Sequence, residues 1–288
     1  MGKKGLFVGM LTLDLVYLTA SFPSPNQKIA AADYTVSAGG PATNAAVTFS
    51  YLGNQATVLT VAGNHPINGL IRRDLDNYKV AIADLDPSRT EPPPVSSIIV
   101  TQTTGDRAVV SLNASKAQAR SDRIPADILQ GVDIVLIDGH QIEVGYAIAQ
   151  QAKINNIPIV IDGGSWKPGL ENILPIVDYA ICSDNFYPPN CHNSEQVFSY
   201  LSQVGIPQIA ITRGEKPILY LSPTGTGEIE IPQINPIDTL GAGDIFHGAF
   251  CHYILQTTFR ETLTAAAKIA SHSCQYFGTR RWMERELT

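Results

Sequence analysis

No Gly-x-x-x-x-Gly-Lys-Ser/Thr segment occurs in the 288 residues, so a Walker-type phosphate loop is excluded. Charge is sparse: Asp, Glu, Lys and Arg make up 16% of the chain, and the formal balance is −6. With no Lys/Arg cluster there is no electrostatic footprint for nucleic acid, although a local basic pocket for a phosphate stays open. The four cysteines, Cys182, Cys191, Cys251 and Cys274, form no Cys-x-x-Cys pair, and the six histidines add no zinc spacing. Buried, reduced thiols in a cytoplasmic protein are the reading that follows. No uninterrupted apolar stretch reaches the ~20 residues of a membrane span. Lys3-Lys4 before Leu6–Leu13 imitates a secretory leader, but Asp14 breaks the run, and a first buried strand accounts for it better.

What is present is a substantial core. Apolar residues make up 44% of a chain long enough for one large α/β domain or two small ones. Continuous apolar runs at Gly5–Leu11, Ala56–Ala62, Val132–Asp138, Ile157–Asp162, Tyr179–Cys182 and Gln208–Thr212 suit strands covered on both faces. Amphipathic segments of helical length, Glu143–Asn155 and Ser194–Val204, lie between them. This alternation predicts a parallel sheet with helices on both sides. Lys28–Ala38, Val95–Thr103 and Ala108–Leu112 break the rhythm with β-branched or alternating character and no helix between. They are expected to form a small, mostly antiparallel sheet projecting from the main body.

The chemistry concentrates in Pro236-Ile237-Asp238-Thr239-Leu240-Gly241-Ala242-Gly243-Asp244 and the apolar segment Ile245–Leu255 after it. A glycine-rich turn entering a helix presents unpaired N–H groups at the positive end of the helix dipole, where an anion can be held. Asp244 beside such a cradle is badly placed to bind phosphate and well placed to take a proton from a hydroxyl. A plain glycine turn before a buried helix would read the same way. A second helix is expected from Pro41 to Leu52, opened by Gly39-Gly40 and carrying Asn44, whose amide can both donate to and accept from hydroxyls. Asp14 and Asp138 each close an apolar strand at the sheet edge where open α/β folds bind ligands. Solvent-exposed acids ending strands remain the alternative for both.

Asp238-Thr239-Leu240-Gly241-Ala242-Gly243-Asp244 resembles the carboxy-terminal signature of the ribokinase-like (PfkB) carbohydrate kinases. Gly39-Gly40-Pro41-Ala42-Thr43-Asn44-Ala45-Ala46 resembles their amino-terminal signature, and the two stand in the family's order. The resemblance runs from Leu6 to Gly278 and is nearest to ketohexokinase and fructokinase-like members. It implies a single domain over residues 1–288 with three α/β/α layers, a mainly parallel central sheet, and a β-sheet lid formed by about 13–38 and 92–113. It also implies ATP and Mg2+ as cofactors, K+ near the Asp238 loop, a sugar as acceptor, and a homodimer joined through the lids. Asp244 becomes the base, with the N–H groups of Gly241, Ala242 and Gly243 stabilising the transferring phosphoryl group. Asp14, Asn26, Gly39, Gly40, Asn44, Arg107 and Asp138 fall on the sugar side. Ser183, Thr212, Arg213, Gly214, Thr239, Cys274 and Gly278 fall on the nucleotide side.

The chain departs from the pattern at the metal motif. Family members carry Asn-x-x-Glu where Ser183-Asp184-Asn185-Phe186 stands here, so Asp138 and Asp184 become the candidate metal carboxylates. Pro41 replaces a polar residue often used for sugar contacts, and Asn26 stands where ketohexokinases have an aspartate; both weigh against a fructose assignment. A kinase for a nucleoside, an inositol or another polyol, and a non-catalytic sugar or nucleotide sensor, are the competing readings.

Overall fold

A computed structural model of the chain describes residues 2–112 and 118–285. The last residue of the expected lid segment, Asn113, lies outside the described residues. The first half contains β1 (Lys4–Val8), β2 (Thr12–Thr19), β3 (Asp33–Gly39), α1 (Pro41–Tyr51), β4 (Gln55–Thr60), α2 (Asn68–Asn77), β5 (Val80–Asp84), β6 (Val95–Thr101) and β7 (Arg107–Ser111). It continues with β8 (Ile134–Ile137), α3 (Ile142–Ile154), β9 (Ile159–Gly163), α4 (Leu170–Ile173), β10 (Tyr179–Ser183), α5 (Ser194–Val204) and β11 (Gln208–Arg213). The hairpin β12 (Lys216–Ser222) and β13 (Gly225–Ile229) and the helices α6 (Ala242–Tyr253) and α7 (Phe259–Ser273) complete it.

Among the described residues, nine strands form one sheet in the order β13-β12-β11-β10-β9-β8-β1-β4-β5. It is parallel from β5 to β11, and the β12–β13 hairpin extends it antiparallel. The continuous apolar runs are explained by the two layers covering the sheet. Phe7, Val58, Leu136, Val160 and Ile181 face the side that holds α1, α6 and α7. Their neighbours Leu6, Val8, Leu59, Val135, Ile137, Ile159 and Ile161 face α3, α4 and α5. Each strand therefore buries both faces, as period-two geometry requires. The fold is the expected three-layer α/β/α arrangement.

Four strands form a second sheet in the order β3-β2-β6-β7, with antiparallel pairs at its margins and a parallel β2–β6 pair at its centre. β2 was not anticipated as a separate strand, because its apolar residues continue the run of β1 and only the short link Gly9–Leu11 divides them. The sheet's inner face packs Val16, Ile98 and Val100 against Phe277 and Leu240. Its outer face leaves Tyr17, Tyr34, Val36, Val110 and Leu112 exposed.

Two glycines bring the halves of the chain together. Gly40 precedes α1 at φ 100°, and a Cβ there would lie 2.4 Å from the Met10 carbonyl oxygen. Gly248 in α6 touches α1 so closely that a Cβ would sit 2.3 Å from the Ala45 carbonyl oxygen. The helices therefore pack backbone against backbone, with their opening turns side by side.

Candidate active site

The juxtaposed openings of α1 and α6 put Asn44 beside Asp244, with Asn44 Nδ2 donating to Asp244 Oδ2 at 2.8 Å. Asp244 lies in the first turn of α6, just after Gly241 at φ 70°. It is half-buried: an opening onto the cleft remains, while protein surrounds the carboxyl elsewhere. Burial pushes its pKa up from the ordinary carboxylate value to about 7, and the charge of Asp162 adds to the rise. The Asn44 hydrogen bond and His247 oppose that rise, and Asp14 contributes to it more weakly. An ordinary exposed carboxylate is mostly ionised at neutral pH, whereas this one is poised near neutrality. That is where a general base combines a large ionised fraction with the greatest affinity for the proton.

Behind Asp244 stand two groups that sequence reasoning did not single out. His247, one turn further along α6, is buried, with Nδ1 2.7 Å from the Gly243 carbonyl oxygen and Nε2 3.1 Å from that of Ile181. Asp162, at the end of β9, lies 3.6 Å from His247 Nδ1. The apolar run before it, like the one before Asp138, was the available signal; Asp14, expected to close the first strand, instead lies within β2 of the small sheet.

Asp14 is 7% exposed on the inner face of β2. Burial raises its pKa against the hydrogen bonds of Thr12 and Ser96 and the charge of Arg280. A Cβ on Gly39 would collide with its carboxylate at 2.0 Å, so that glycine keeps room for the acid. Arg107, in the turn side of β7, reaches across to donate from Nη1 to Thr239 Oγ1 at 2.7 Å. Gly278 N–H donates to Asp238 Oδ2, and Leu240 N–H to Asp238 Oδ1, at 2.8 and 2.9 Å. The Cys274 carbonyl accepts from the N–H groups of Ile237 and Asp238, while burial pushes its thiol up to about 11. These contacts bring the openings of α1 and α6, Arg107 of the small sheet, and the Asp238 loop with Cys274 and Gly278 next to one another.

Other expected residues do different things. Asn26 occupies an exposed turn at φ 62°, a left-handed conformation that Asn tolerates, so the turn accounts for it without a ligand. Asp138 is fully enclosed: Oδ2 accepts from the N–H groups of Met10 and Ala42, and Oδ1 from that of His140. Burial works against its charge, but His140 and these N–H groups outweigh it and hold the carboxyl below its usual range. It fastens the link after β1 to the opening of α1, and its side chain is fully buried beside His140 Nδ1 at 3.2 Å. Arg213 turns back to donate Nε and Nη2 to the Pro217 carbonyl oxygen at 2.8 and 2.6 Å, bracing the Gly214 turn. Ser183 Oγ donates to Gly164 O at 2.8 Å, and Thr212 Oγ1 to Cys182 O at 3.3 Å. Asp184 is exposed, with Oδ1 3.4 Å from Ser194 Oγ. Among the described residues, no group of three or more His, Cys, Asp or Glu side chains could hold a metal by itself.

Comparison with known proteins decides the family. The profile of the pfkB family carbohydrate kinases matches residues 3–285. The chain belongs to that family. The kinase is 25% identical to the deoxyribokinase of Salmonella typhi over 268 residues, which is 87% of this chain and 85% of that one. Its fold is that of the ribokinase of Giardia lamblia, at a TM-score of 0.81 and 18% identity, covering 100% of this chain and 99% of that one. It likewise matches the Arabidopsis thaliana ribokinase solved with ribose and ATP, at a TM-score of 0.79 and 19% identity, covering 99% and 100% of the two chains. The neighbours named are ribokinases and a deoxyribokinase, and nothing among them singles out the ketohexokinase branch. No described helix of the kinase is long and apolar enough to cross a membrane.

Proposed function

We propose that the kinase transfers the terminal phosphoryl group of ATP to a hydroxyl of a small sugar of ribose or ketohexose type. The observation that carries this reading is the meeting of Asn44 and Asp244 at the openings of two helices that pack backbone to backbone. Asp14 and Asn44 receive sugar hydroxyls, and the small sheet closes over them as a lid. Asp244 takes the proton of the attacking hydroxyl as its oxygen bonds to the γ-phosphorus, while the bond from that phosphorus to the bridging oxygen breaks and ADP leaves. The N–H groups of Gly241, Ala242 and Gly243 stand at the opening of α6, where they are suited to the charge on the phosphoryl oxygens in flight; that of Ala242 would first leave the Thr239 carbonyl oxygen, to which it donates at 3.3 Å. Arg107, already resting on Thr239, supplies positive charge beside them. ATP extends toward Ser183, Thr212 and Gly214 at the carboxyl ends of β10 and β11.

Magnesium fits this site only through the nucleotide, with phosphate oxygens as its main ligands and Asp184 as the accessible protein carboxylate. When bound it would neutralise charge on the terminal phosphates. K+ beside the Asp238 loop belongs to the same reading; chloride salts of different cations would reveal it as a change in turnover.

The lids of two copies pair through the exposed outer face of the small sheet, where Tyr17, Tyr34, Val36, Val110 and Leu112 form an apolar surface. Incubation with ATP, magnesium and a panel of pentoses and ketohexoses, followed by ADP release, tests the activity. ADP release with a ribose-type or ketohexose sugar is expected. Release only with a nucleoside, inositol or acyclic polyol would replace the substrate assignment, and no release with any of them would leave a binding protein on a kinase fold.

A further inference from the structure

Arg280 lies beyond α7, far in sequence from both helix openings, and is 7% exposed. All five of its N–H groups have acceptors. Nε and Nη2 donate to Asp74 Oδ2 at 3.3 and 3.2 Å, and Nη2 also to the Ala38 carbonyl oxygen at 2.7 Å. Nη1 donates to Thr279 Oγ1 at 3.0 Å and to Asn44 Oδ1 at 2.9 Å. The guanidinium lies over the Tyr78 ring, 5.5 Å from its centroid. A guanidinium with every donor engaged has nothing left to offer a substrate phosphate or carboxylate. Its effect on the site has to pass through what it holds.

We propose that Arg280 is a positioning residue for phosphoryl transfer: it fixes the amide of Asn44 so that the NH2 end, and never the oxygen, faces Asp244. The two ends of an Asn amide are nearly alike in size, so shape alone does not choose between them. Chemistry does. Arg280 can only donate, which demands the amide oxygen on its side, and the ionised Asp244 can only accept, which demands the NH2 on the other. A hydrogen-bonded line therefore runs from Asp74 on α2 through Arg280 and Asn44 to Asp244. With the amide reversed, its oxygen would face the carboxylate and oppose ionisation. The other groups around Asp244 are Asp162 from β9, His247 from α6 and Asp14 from β2, and Arg280 itself lies near enough to Asp14 to favour that acid's charge.

The inference rests on Asp244 acting as the base, and the test separates the two. The acid limb of turnover against pH is measured for the wild-type kinase, Arg280→Gln, Arg280→Lys, Asn44→Ala and Asn44→Ala/Arg280→Gln. Losing a donated hydrogen bond to a charged group shifts its titration by about one pH unit. Arg280→Gln should therefore move the limb upward by about that much, and Arg280→Lys should move it the same way. In the Asn44→Ala background Arg280→Gln should move it no further, because its effect travels through the amide. If Arg280→Gln does not fold, the lysine variant, which keeps the charge but loses the fixed fork, carries the test. A limb that stays put in whichever variants fold, or shifts that add fully in the double variant, overturns the positioning role. A wild-type profile with no acid limb would instead remove the base assignment beneath it.

Discussion

Around Asp244, the groups that meet come from β2, β3, α1, α2, β9, α6 and the segment after α7, and their contacts bridge as many as 242 residues of sequence. Around the ends of β10 and β11, Ser183, Thr212 and Arg213 bond mainly to neighbouring strands and their own turns, and the Arg213 contact spans four residues. The first region holds several carboxylates in a poorly solvated space, where an unpaired charge is costly, so its partners must already be in place. The second holds turns whose N–H and hydroxyl groups suit a ligand that brings its own cation. On the proposed reading, the base end is built by the fold and the nucleotide end is completed by the nucleotide.

The hardest test of that contrast is Asp244→Asn. An amide is close in shape but takes no proton, so turnover should fall by about 10²–10⁴, the range for loss of a general base, with sugar and ATP still bound. The same variant tests the charge cost. Asp244 is raised to about 7, so its contribution to stability is complete below the unfolded value near 3.8 and is lost as pH rises through about 7. Asp244→Asn should accordingly melt higher than wild type at pH 8, by roughly a few degrees, with the gap closing toward pH 4. Normal turnover, or a stability gap of the opposite sign at pH 8, would separate Asp244 from the role given to it.

Gly248→Ala probes the packing that creates the base end. The added carbon meets the Ala45 carbonyl at 2.3 Å, so α6 has to move off α1. Overpacking of this kind costs about 1–3 kcal/mol, and the displacement should also loosen the Asn44–Asp244 contact. Turnover is expected to fall at least as much as stability suggests, while ATP binding, which depends on the other end, holds. An equal loss of ATP affinity would show that the two ends are not independently built.

Wild-type turnover should rise with pH along a limb centred near 7, tenfold per unit well below it, because only ionised Asp244 accepts the proton. A limb near 4 would mean that the carboxyl is better solvated in the working kinase.

The same contrast explains what could be read from the sequence. The main sheet was legible because each strand buries both faces and so appears as an unbroken apolar run. The Gly241–Asp244 turn and the Gly39–Asn44 opening were legible because local geometry demands glycine there. Arg280, Asp74 and His247 were not, since nothing in a neighbouring residue marks a guanidinium that will be buried against an amide 236 positions away. Other candidate residues, from both the sugar side and the nucleotide side, are engaged by the fold itself. Arg213 and Asn26 carry residue types that suit ligands, yet each is used by its own turn. Asp138 follows β8, and of the three N–H groups that claim it, that of His140 is two residues away while those of Met10 and Ala42 come from segments brought near only by folding.

The two faces of the small sheet extend the comparison to assembly. Its inner face is engaged with Phe277 and Leu240, whereas Tyr34 and Val110 on the outer face are 65% and 76% exposed. Charged substitutions there, Tyr34→Glu with Val110→Lys, should convert a dimer to a monomer in light scattering and change turnover by no more than a few-fold, since neither side chain faces the cleft. A wild-type kinase that is monomeric at micromolar concentration would remove the proposed pairing.

Arg213→Ala should have the smallest effect, and for that reason it discriminates best at the nucleotide end. In a phosphate-binding enzyme an arginine at a strand end invites assignment to the nucleotide. Here the Nε and Nη2 donors both go to the Pro217 carbonyl oxygen, closing the Gly214 turn between β11 and β12. Truncation removes that brace and should lower stability by about 1 kcal/mol, the usual worth of such bonds. A residue occupied in this way contributes no charge to ATP in transit, so the KM for ATP is expected to change less than about threefold, below the factor of about five that losing a contact worth about 1 kcal/mol would produce. A tenfold or larger rise in that KM, with stability unchanged, would show that the guanidinium leaves Pro217 when ATP arrives. The nucleotide end would then share the base end's reliance on a charged side chain, and the contrast between them would narrow to how each is held before the ligand binds.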